Sequence, residues 1–568
     1  MSRPKSRPKS RPMSAGVDPF ARDHLPPASE WPVFHFDRPE YRYPERLNAA
    51  AALLDAALAR GWGERIALHT AGSAGAIHCT YAQLAAQVNR IAGVLVDDLK
   101  LVPGNRVLLR GPNSPMLAAA FLAVVKAGLI AVPTMPLLRA RELKQIIDKA
   151  QVQAALCDAR LLADLEPCRT AGSEHHCASL AQVLCYHADG PDSLEARAAA
   201  RSANFAACDT GRDDVALIAF TSGTTGQPKG TMHFHRDLLV MSDAFPLHVL
   251  RPQADDIFIG TPPLAFTFGL GGLLTMPLRC GASAVLAERY TPETLLATIA
   301  QAGATVLFTA PTMYRQLALL LQGGAAPVPR LARCVSAGEA LPDATRELWR
   351  SVTGLELIDG IGATEMIHIF IAAAGADVRR GAIGKVVPGY RAQVVDDELR
   401  PLPPGAVGRL AVQGPSGCRY LADPRQRNYV RHGWNLTGDS FTMDADGYFY
   451  YQARSDDMIV SAGYNIAGPE VEATLLLHPA VAECGVVGAP DAERGQRVAA
   501  YVVPKPGALD AQGGAAALRR ALQDFVKAEI APYKYPRSIE FVERLPRTET
   551  GKLQRFVLRE MARGQGPS

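Results

Sequence analysis

Runs of apolar and polar positions alternate along most of this chain with two different periods. Between about Trp31 and Phe220 the pattern switches repeatedly between helical and strand-like. Arg106 to Arg110 and Ala154 to Cys157 read as strands, and Ala140 to Ala150 as a helix. Met116 to Thr134 is the most apolar stretch, broken by Lys126 and Pro133. Pro115 after Asn113-Ser114 marks a helix start, Gly128 its end, and Leu129 to Val132 a buried strand beyond it. Strands and helices alternate again from Ile257 to Ala310. Such alternation predicts parallel sheets covered by helices. Residues 190–212 are polar and rich in Gly, Ala and Asp, and read as a surface connection. Residues 470–563 form a compact unit of domain size, with helices at Pro469 to Leu477 and Ala515 to Glu529 and strands at Glu483 to Val487 and Val498 to Val503.

The N-terminus is different. Residues 1–12 repeat Ser-Arg-Pro-Lys; proline every four residues forbids a helix, and almost nothing apolar is available to bury. A disordered basic, proline-rich extension is expected over 1–30, with a polyanion-binding arm as the less favoured reading and Met13 as an alternative start.

With 568 residues, 48% hydrophobic and 20% charged, the chain fits a soluble globular enzyme of two or more domains. Sixty basic against 56 acidic side chains leave +4, which argues for neither nucleic acid nor an anionic membrane as partner. No secretory signal or membrane span is evident. The ten cysteines are scattered. Cys168, His175, His176, Cys177, Cys185 and His187 form the densest group, but without a Cys-x2-Cys pair reduced thiols of a cytoplasmic enzyme are the better reading than zinc.

The apolar run Asp214 to Phe220 reads as a buried strand, and Thr221-Ser222-Gly223-Thr224-Thr225-Gly226-Gln227-Pro228-Lys229-Gly230 follows it directly. Glycines bring backbone N–H groups close to a ligand, hydroxyls add donors, and Lys229 adds a positive charge, a set suited to a polyphosphate. The spacing is not that of a P-loop, since Pro228 precedes the lysine. Ordinary flexible turns seldom carry so many donors after a buried strand. The ten-residue stretch closely resembles the phosphate-binding signature of the adenylate-forming superfamily, which comprises acyl-CoA synthetases, adenylation domains and luciferases.

Further motifs follow in the order that this resemblance implies. Ser336 to Pro342 contains Gly338 and Glu339, and Asp359-Gly360-Ile361-Gly362-Ala363-Thr364-Glu365 ends another short apolar strand. Both are implied nucleotide contacts. Glu365, a hard oxygen ligand beside the Thr364 hydroxyl, is implied to hold Mg2+ on the nucleotide. Most members carry Tyr where this chain has Ile361, so apolar rather than aromatic stacking on adenine is expected. Asp439 matches the residue that binds both ribose hydroxyls, and Arg454 one that reaches ribose or phosphate. Asp456 matches the family's hinge, Ser461-Ala462-Gly463 a loop lining the thiol tunnel, and Lys552 the catalytic lysine.

The resemblance covers about Trp31 to Arg563 and implies an α/β fold: a large N-terminal domain (31–455) of helix-covered sheets with a small barrel-like part, then a small mobile α+β lid (456–568). It implies an acyl-CoA synthetase that uses ATP, Mg2+ and coenzyme A. Phe266, Thr267, Phe268 and Gly269, with His368 and Ile369, fall where the acyl pocket is walled. These neighbourhoods look most like benzoate-CoA ligases, and within them 2-aminobenzoate-CoA ligases. Phe266, Phe268, Ile369 and the glycine backbone would make a flat apolar slot for an aromatic carboxylate; Thr267 or His368 would serve an aniline nitrogen, the rival reading of His368 being a packed core histidine. A stand-alone enzyme loading a carrier protein, a ligase for another small acid and a catalytically dead nucleotide-binding protein are the rivals. A homodimer stays open.

Overall fold

The computed structural model describes residues 17–70, 77–221, 228–454, 457–461, 464–491, 494–530, 532–547 and 553–564. Two helix-covered sheets dominate. One has six strands in the order Gln182–Tyr186, Ala154–Asp158, Arg106–Arg110, Ile130–Thr134, Val215–Thr221, Lys229–Phe234. All are parallel except the last, which runs back along Val215–Thr221 with Thr221 opposite Lys229. The other has nine strands, parallel from Ile66–Thr70 through Ser283–Leu286, Ile257–Gly260, Val306–Thr309 and Arg333–Ala337 to Leu357–Gly362, with antiparallel strands at both edges.

The helix Pro115–Lys126 shows why the sheets pack. Ser114 caps it by accepting from the Leu117 N–H at 3.2 Å, and Pro115 occupies the first turn, where its missing N–H costs nothing. Every residue from Leu117 to Lys126 is buried. A helix apolar all round must be enclosed, and this one shares a core with Val107 and Ala131 of the first sheet and Phe258 and Val306 of the second. The helix Ala140–Ala150 is instead one-sided: Leu143, Ile146, Ile147 and Ala150 are buried, three and four residues apart.

A five-stranded antiparallel sheet follows, built on Arg391–Val395, Gly408–Gln413, Trp434–Met443 and Phe449–Arg454, and supplies the barrel-like part. Beyond it, Gly495–Pro504 centres a small sheet backed by the helices Gly468–Leu477 and Ala515–Glu529 around a core of its own that includes Val471, Val486, Val502, Leu518 and Leu522. The expected α/β architecture with a separate α+β C-terminal part is therefore present.

One expectation needs correcting. Residues 17–30 are not a loose extension: Phe20–Asp23 is a helical turn, and Asp18 accepts from the buried Arg106 guanidinium at 2.6 Å. That charge-assisted bond ties the segment down. The connection 190–212 contains a short helix, Leu194–Ala199, capped by Ser193 and anchored by buried Leu194 and Ala198. Among the described residues no helix is long and apolar enough to cross a membrane, and no group of three or more His, Cys, Asp or Glu could hold a metal.

Candidate active site

Val215–Thr221 and Lys229–Phe234 pair antiparallel on either side of the Gly/Thr stretch. Ser222, Gly223, Thr224, Thr225 and Gly226 lie outside the described residues, while Thr221 and Lys229 stand opposite each other in the paired strands. The segment ending at Leu421 pairs with the second of these strands: Met232 N–H donates to the Arg419 carbonyl and Leu421 N–H to that of Gly230, both at 2.8 Å. This places Tyr420 against Lys229. The Lys229 ammonium donates to the Tyr420 hydroxyl at 3.2 Å, and that hydroxyl donates to Glu365 Oε1 at 2.5 Å. Lys229 Nζ itself is 3.9 Å from the same oxygen.

Glu365 comes from the turn after Leu357–Gly362. The Thr364–Met366 turn is held by buried His233, whose Nε2 donates to the Thr364 carbonyl at 2.8 Å. The chain then reverses at Ile367, at φ 66° and ψ −35°, a region that β-branched residues rarely visit. Reversal brings Ile369–Ala372 back beside the same strand, with Gly360 opposite Ala372 and Gly362 opposite Ile369. A Cβ on Gly360 would sit 2.8 Å from Ile369 Cδ1, so the close approach needs glycine there.

Asp359 lies at the same sheet end, opposite Ser336, and burial pushes its carboxyl up to about 7, partly offset by Arg346 and the Gly360 N–H. One strand over, Gly338 takes φ 91° and leads to Glu339, whose Oε2 accepts from Thr312 at 2.8 Å. Arg547 of the C-terminal part reaches the same place. It lies 3.7 Å from Glu339 Oε1 while donating to Glu483 at 2.8 Å. Asp439, buried, is the register partner of Arg454 in two paired strands of the barrel-like sheet, and its N–H donates to the Thr437 hydroxyl at 3.4 Å. Ser461 is buried at the end of a strand in the C-terminal part. Asp456, Ala462, Gly463 and Lys552 lie outside the described residues.

Of the residues expected to wall the acyl pocket, His368 is 4% exposed. Its ring centroid is 5.8 Å from that of Phe268 and 5.8 Å from that of Phe245. Phe268 in turn packs on Phe308 at 5.5 Å. A Cβ on Gly271 would lie 2.6 Å from His368 Cδ2, so the imidazole fills the room that glycine leaves. Phe268 and His368 thus pack together, Ile369 lies in the core that Phe268 packs against, Gly269 abuts the Pro262 and Pro263 carbonyls, and Thr267 is buried in the short helix Thr267–Leu270 that Phe266 precedes. Neither His368 nitrogen has a hydrogen-bond partner in good geometry, and burial depresses the ring's pKa to about 3, so it is neutral.

This arrangement of strand-end turns has close counterparts. The family model for AMP-binding enzymes matches residues 56–420, and that for the AMP-binding enzyme C-terminal domain matches 470–552. The chain belongs to the AMP-binding enzyme family. Benzoate–CoA ligase of Thauera aromatica is 36% identical over 531 residues, covering 92% of this chain and 97% of that protein. The crystal structure of the anthranilate CoA ligase AuaEII in complex with anthranoyl-AMP superposes with a TM-score of 0.85 at 33% identity, covering 93% of this chain and 99% of the other. A benzoate CoA ligase from Burkholderia xenovorans LB400 superposes at 0.80 and 31% identity, covering 90% and 100%. This AMP-binding enzyme is an acid–thiol ligase of the AMP-forming, acyl-CoA synthetase kind, working with ATP, Mg2+ and CoA.

The residues at hand fit Mg2+ carried in on a nucleotide. Glu365 contributes one buried carboxylate beside the Thr364 turn, and no multi-carboxylate cage is present among the described residues. That is how Mg2+ is held when phosphates and waters complete its shell. Three residues escaped the sequence reading of this AMP-binding enzyme. Tyr420 and His233 join the site through pairings across long sequence separations, so no local pattern marks them. Arg547 stands inside the stretch that carries Lys552, but its contact with Glu339 exists only once the two parts meet.

Proposed function

We propose that this chain is an aryl-CoA ligase that activates 2-aminobenzoate and benzoate. The observation that carries the reading is His368: a buried, neutral imidazole whose nitrogens lack a well-aligned partner among the described residues, with only the Phe268 backbone in reach, set among Phe245, Phe268 and Gly271. Unpaired buried polar atoms are costly, and a ligand that meets one recovers that cost. The flat apolar surroundings suit one aromatic ring, and a neutral imidazole can donate to or accept from an amino group beside the carboxylate. The similarity to ligases named for benzoate and anthranilate supports the same class.

The proposed chemistry starts from a carboxylate, a poor electrophile because its leaving group would be oxide. Its oxygen attacks the α-phosphorus of ATP, the bond to the β-phosphate bridging oxygen breaks, and pyrophosphate leaves. The aryl-adenylate so formed has AMP as a good leaving group. The CoA thiolate then attacks the carbonyl, giving the thioester and AMP. Positioning and charge stabilisation supply most of the first step. Thr221 to Gly226 and Lys229 are assigned to the β- and γ-phosphates, and Gly338, Glu339 and Asp359 to Gly362 to the adenine side. Asp439 and Arg454 are assigned to ribose, and Lys552 to the charge between carboxylate and α-phosphate. Glu365 would hold Mg2+, which supplies charge neutralisation on the phosphates. Residues 456–568 act as a lid turning about Asp456, with Ser461 to Gly463 lining the thiol path.

The test is pyrophosphate release across a panel of carboxylic acids, with and without CoA. Turnover is expected on benzoate and 2-aminobenzoate, the latter at least as good, with little on acetate or long-chain fatty acids. A fatty acid preferred by kcat/KM would overturn the aromatic assignment. A strong preference for plain benzoate would overturn only its amino-substituted half.

A further inference from the structure

Tyr420 stands between two groups of opposite charge that the proposed function assigns to the phosphate end of ATP, and no motif accounts for it. We infer that Tyr420 is a positioning residue for MgATP: its phenol keeps Lys229 and Glu365 from closing on each other and fixes the carboxylate for a phosphate-bound cation. The inference rests on the roles proposed for Lys229 and Glu365.

The geometry is that of an interrupted ion pair. A direct ammonium–carboxylate contact would bring nitrogen and oxygen to about 2.8 Å. Here they are 3.9 Å apart, and the phenol oxygen bridges them, accepting from Lys229 at 3.2 Å and donating to Glu365 Oε1 at 2.5 Å. A hydroxyl has one proton to give and lone pairs to receive with, so both bonds are made at once. Burial, with the Glu365 carboxylate beside it, drives the phenol pKa far above its usual value and keeps that proton in place.

The phenol is also fixed. Tyr420 is 1% exposed, its N–H donates to Gln426 Oε1 at 2.9 Å, and its ring stands edge-on to Tyr429 at 5.7 Å. Its neighbours Arg419 and Leu421 are bonded to the strand that carries Lys229, and the Arg419 guanidinium is paired with buried Asp237. The ladder fixes the Tyr420 backbone, and burial against Tyr429 confines the ring. With Oε1 engaged, coordination of a cation falls to Oε2. Without the phenol, Lys229 and Glu365 would meet directly, and an arriving phosphate and cation would each have to break a partly buried ion pair.

The experiment is Tyr420→Phe in the full chain, titrated calorimetrically with MgATP and with AMP, and with Mg2+ at saturating ATP. The Kd for MgATP and the half-saturating Mg2+ concentration should each rise at least about tenfold, the loss expected when a hydrogen bond to a charged group goes. The Kd for AMP, which lacks the β- and γ-phosphates, should move by less than about twofold by the same arithmetic. Unchanged MgATP and Mg2+ behaviour would overturn the inference. So would equal weakening of AMP and MgATP with a lowered unfolding temperature, which would make Tyr420 a packing residue only. Should the variant fail to fold, Lys229→Met decides: with the phenol still holding Glu365, the Mg2+ requirement should stay within about twofold while MgATP binding weakens. A clear rise in that requirement would overturn the inference. Failure of the unaltered chain to bind MgATP would instead remove the proposed function beneath it.

Discussion

Gly271→Ala tests the aryl pocket with a single methyl group. The added Cβ would meet His368 Cδ2 at 2.6 Å, His368 Nε2 at 2.7 Å and Met241 Cγ at 3.1 Å. Ordinary carbon contacts begin near about 3.5 Å, so the imidazole must recede by most of an ångström. It has nowhere easy to go, because Phe245 and Phe268 flank it at 5.8 Å between centroids. Overpacking of this kind costs about 1–3 kcal/mol. If the displaced ring narrows the acid slot, the same range predicts a loss of about 5- to 150-fold in kcat/KM for benzoate and 2-aminobenzoate. The KM for ATP should stay within about twofold, since a change felt by one substrate alone leaves binding of the other intact. The assay is steady-state pyrophosphate release with acid and ATP varied in turn. Gly485→Ala is the control: its Cβ would crowd Leu558 at 2.7 Å in the C-terminal part, so it should lower stability without a selective effect on the acid. If Gly271→Ala lowers the unfolding temperature but leaves the kinetics of both acids unchanged, His368 does not border the acid site and the reasoning fails.

Lys552→Ala should abolish adenylate formation and largely spare CoA transfer from a supplied aryl-adenylate; equal losses in both half-reactions would make its assigned role wrong. Asp456→Pro should keep adenylation and lose thioester formation, because proline fixes φ near about −65° and a hinge must change it; an unchanged overall rate rules the hinge out. Asp359 carries a stability prediction with a definite sign. Its folded pKa, about 7, lies above the ordinary 3.8, so the native state holds a proton that the unfolded state has released across that interval. The stability it contributes is fully present below about 4 and lost as pH rises towards 7. Asp359→Asn should therefore be more stable than the parent at pH 8 and lose that advantage near pH 4, as read by urea unfolding midpoints; an advantage independent of pH contradicts the assignment.

Much of the scaffold was legible because local pattern and tertiary demand agree. Arg106–Arg110, Ala140–Ala150 and Ala515–Glu529 fall where the apolar spacing places them. The helix Leu194–Ala199 was hidden because only two of its residues are buried, too few to stand out in a polar connection. Residues 17–30 read as loose because their anchors are all long-range, such as the bonds of Asp18 to Arg106 and Asn105 and of Glu30 to Gln426 and Arg427. The site divides in the same way. Glu365, Gly360 and Gly362 sit in a contiguous motif at a strand end, and His368 in the strand's return. Tyr420 joins Lys229 only through sheet pairing, so composition near it says nothing of its neighbours.

Arg547 has a consequence for how the enzyme would answer its surroundings. Its guanidinium meets Glu483 within the C-terminal part, and Glu339 and Thr312 in the large one. If the C-terminal part turns about Asp456, Glu483 travels with Arg547 and Glu339 stays behind. The posture seen here is therefore held in part by an ion pair whose strength depends on the solution, since salt screens charges at such partly exposed contacts over about 10 Å at 0.1 M. Raising ionic strength should weaken the contact between Arg547 and Glu339, so salt becomes a handle on how often the C-terminal part leaves this posture.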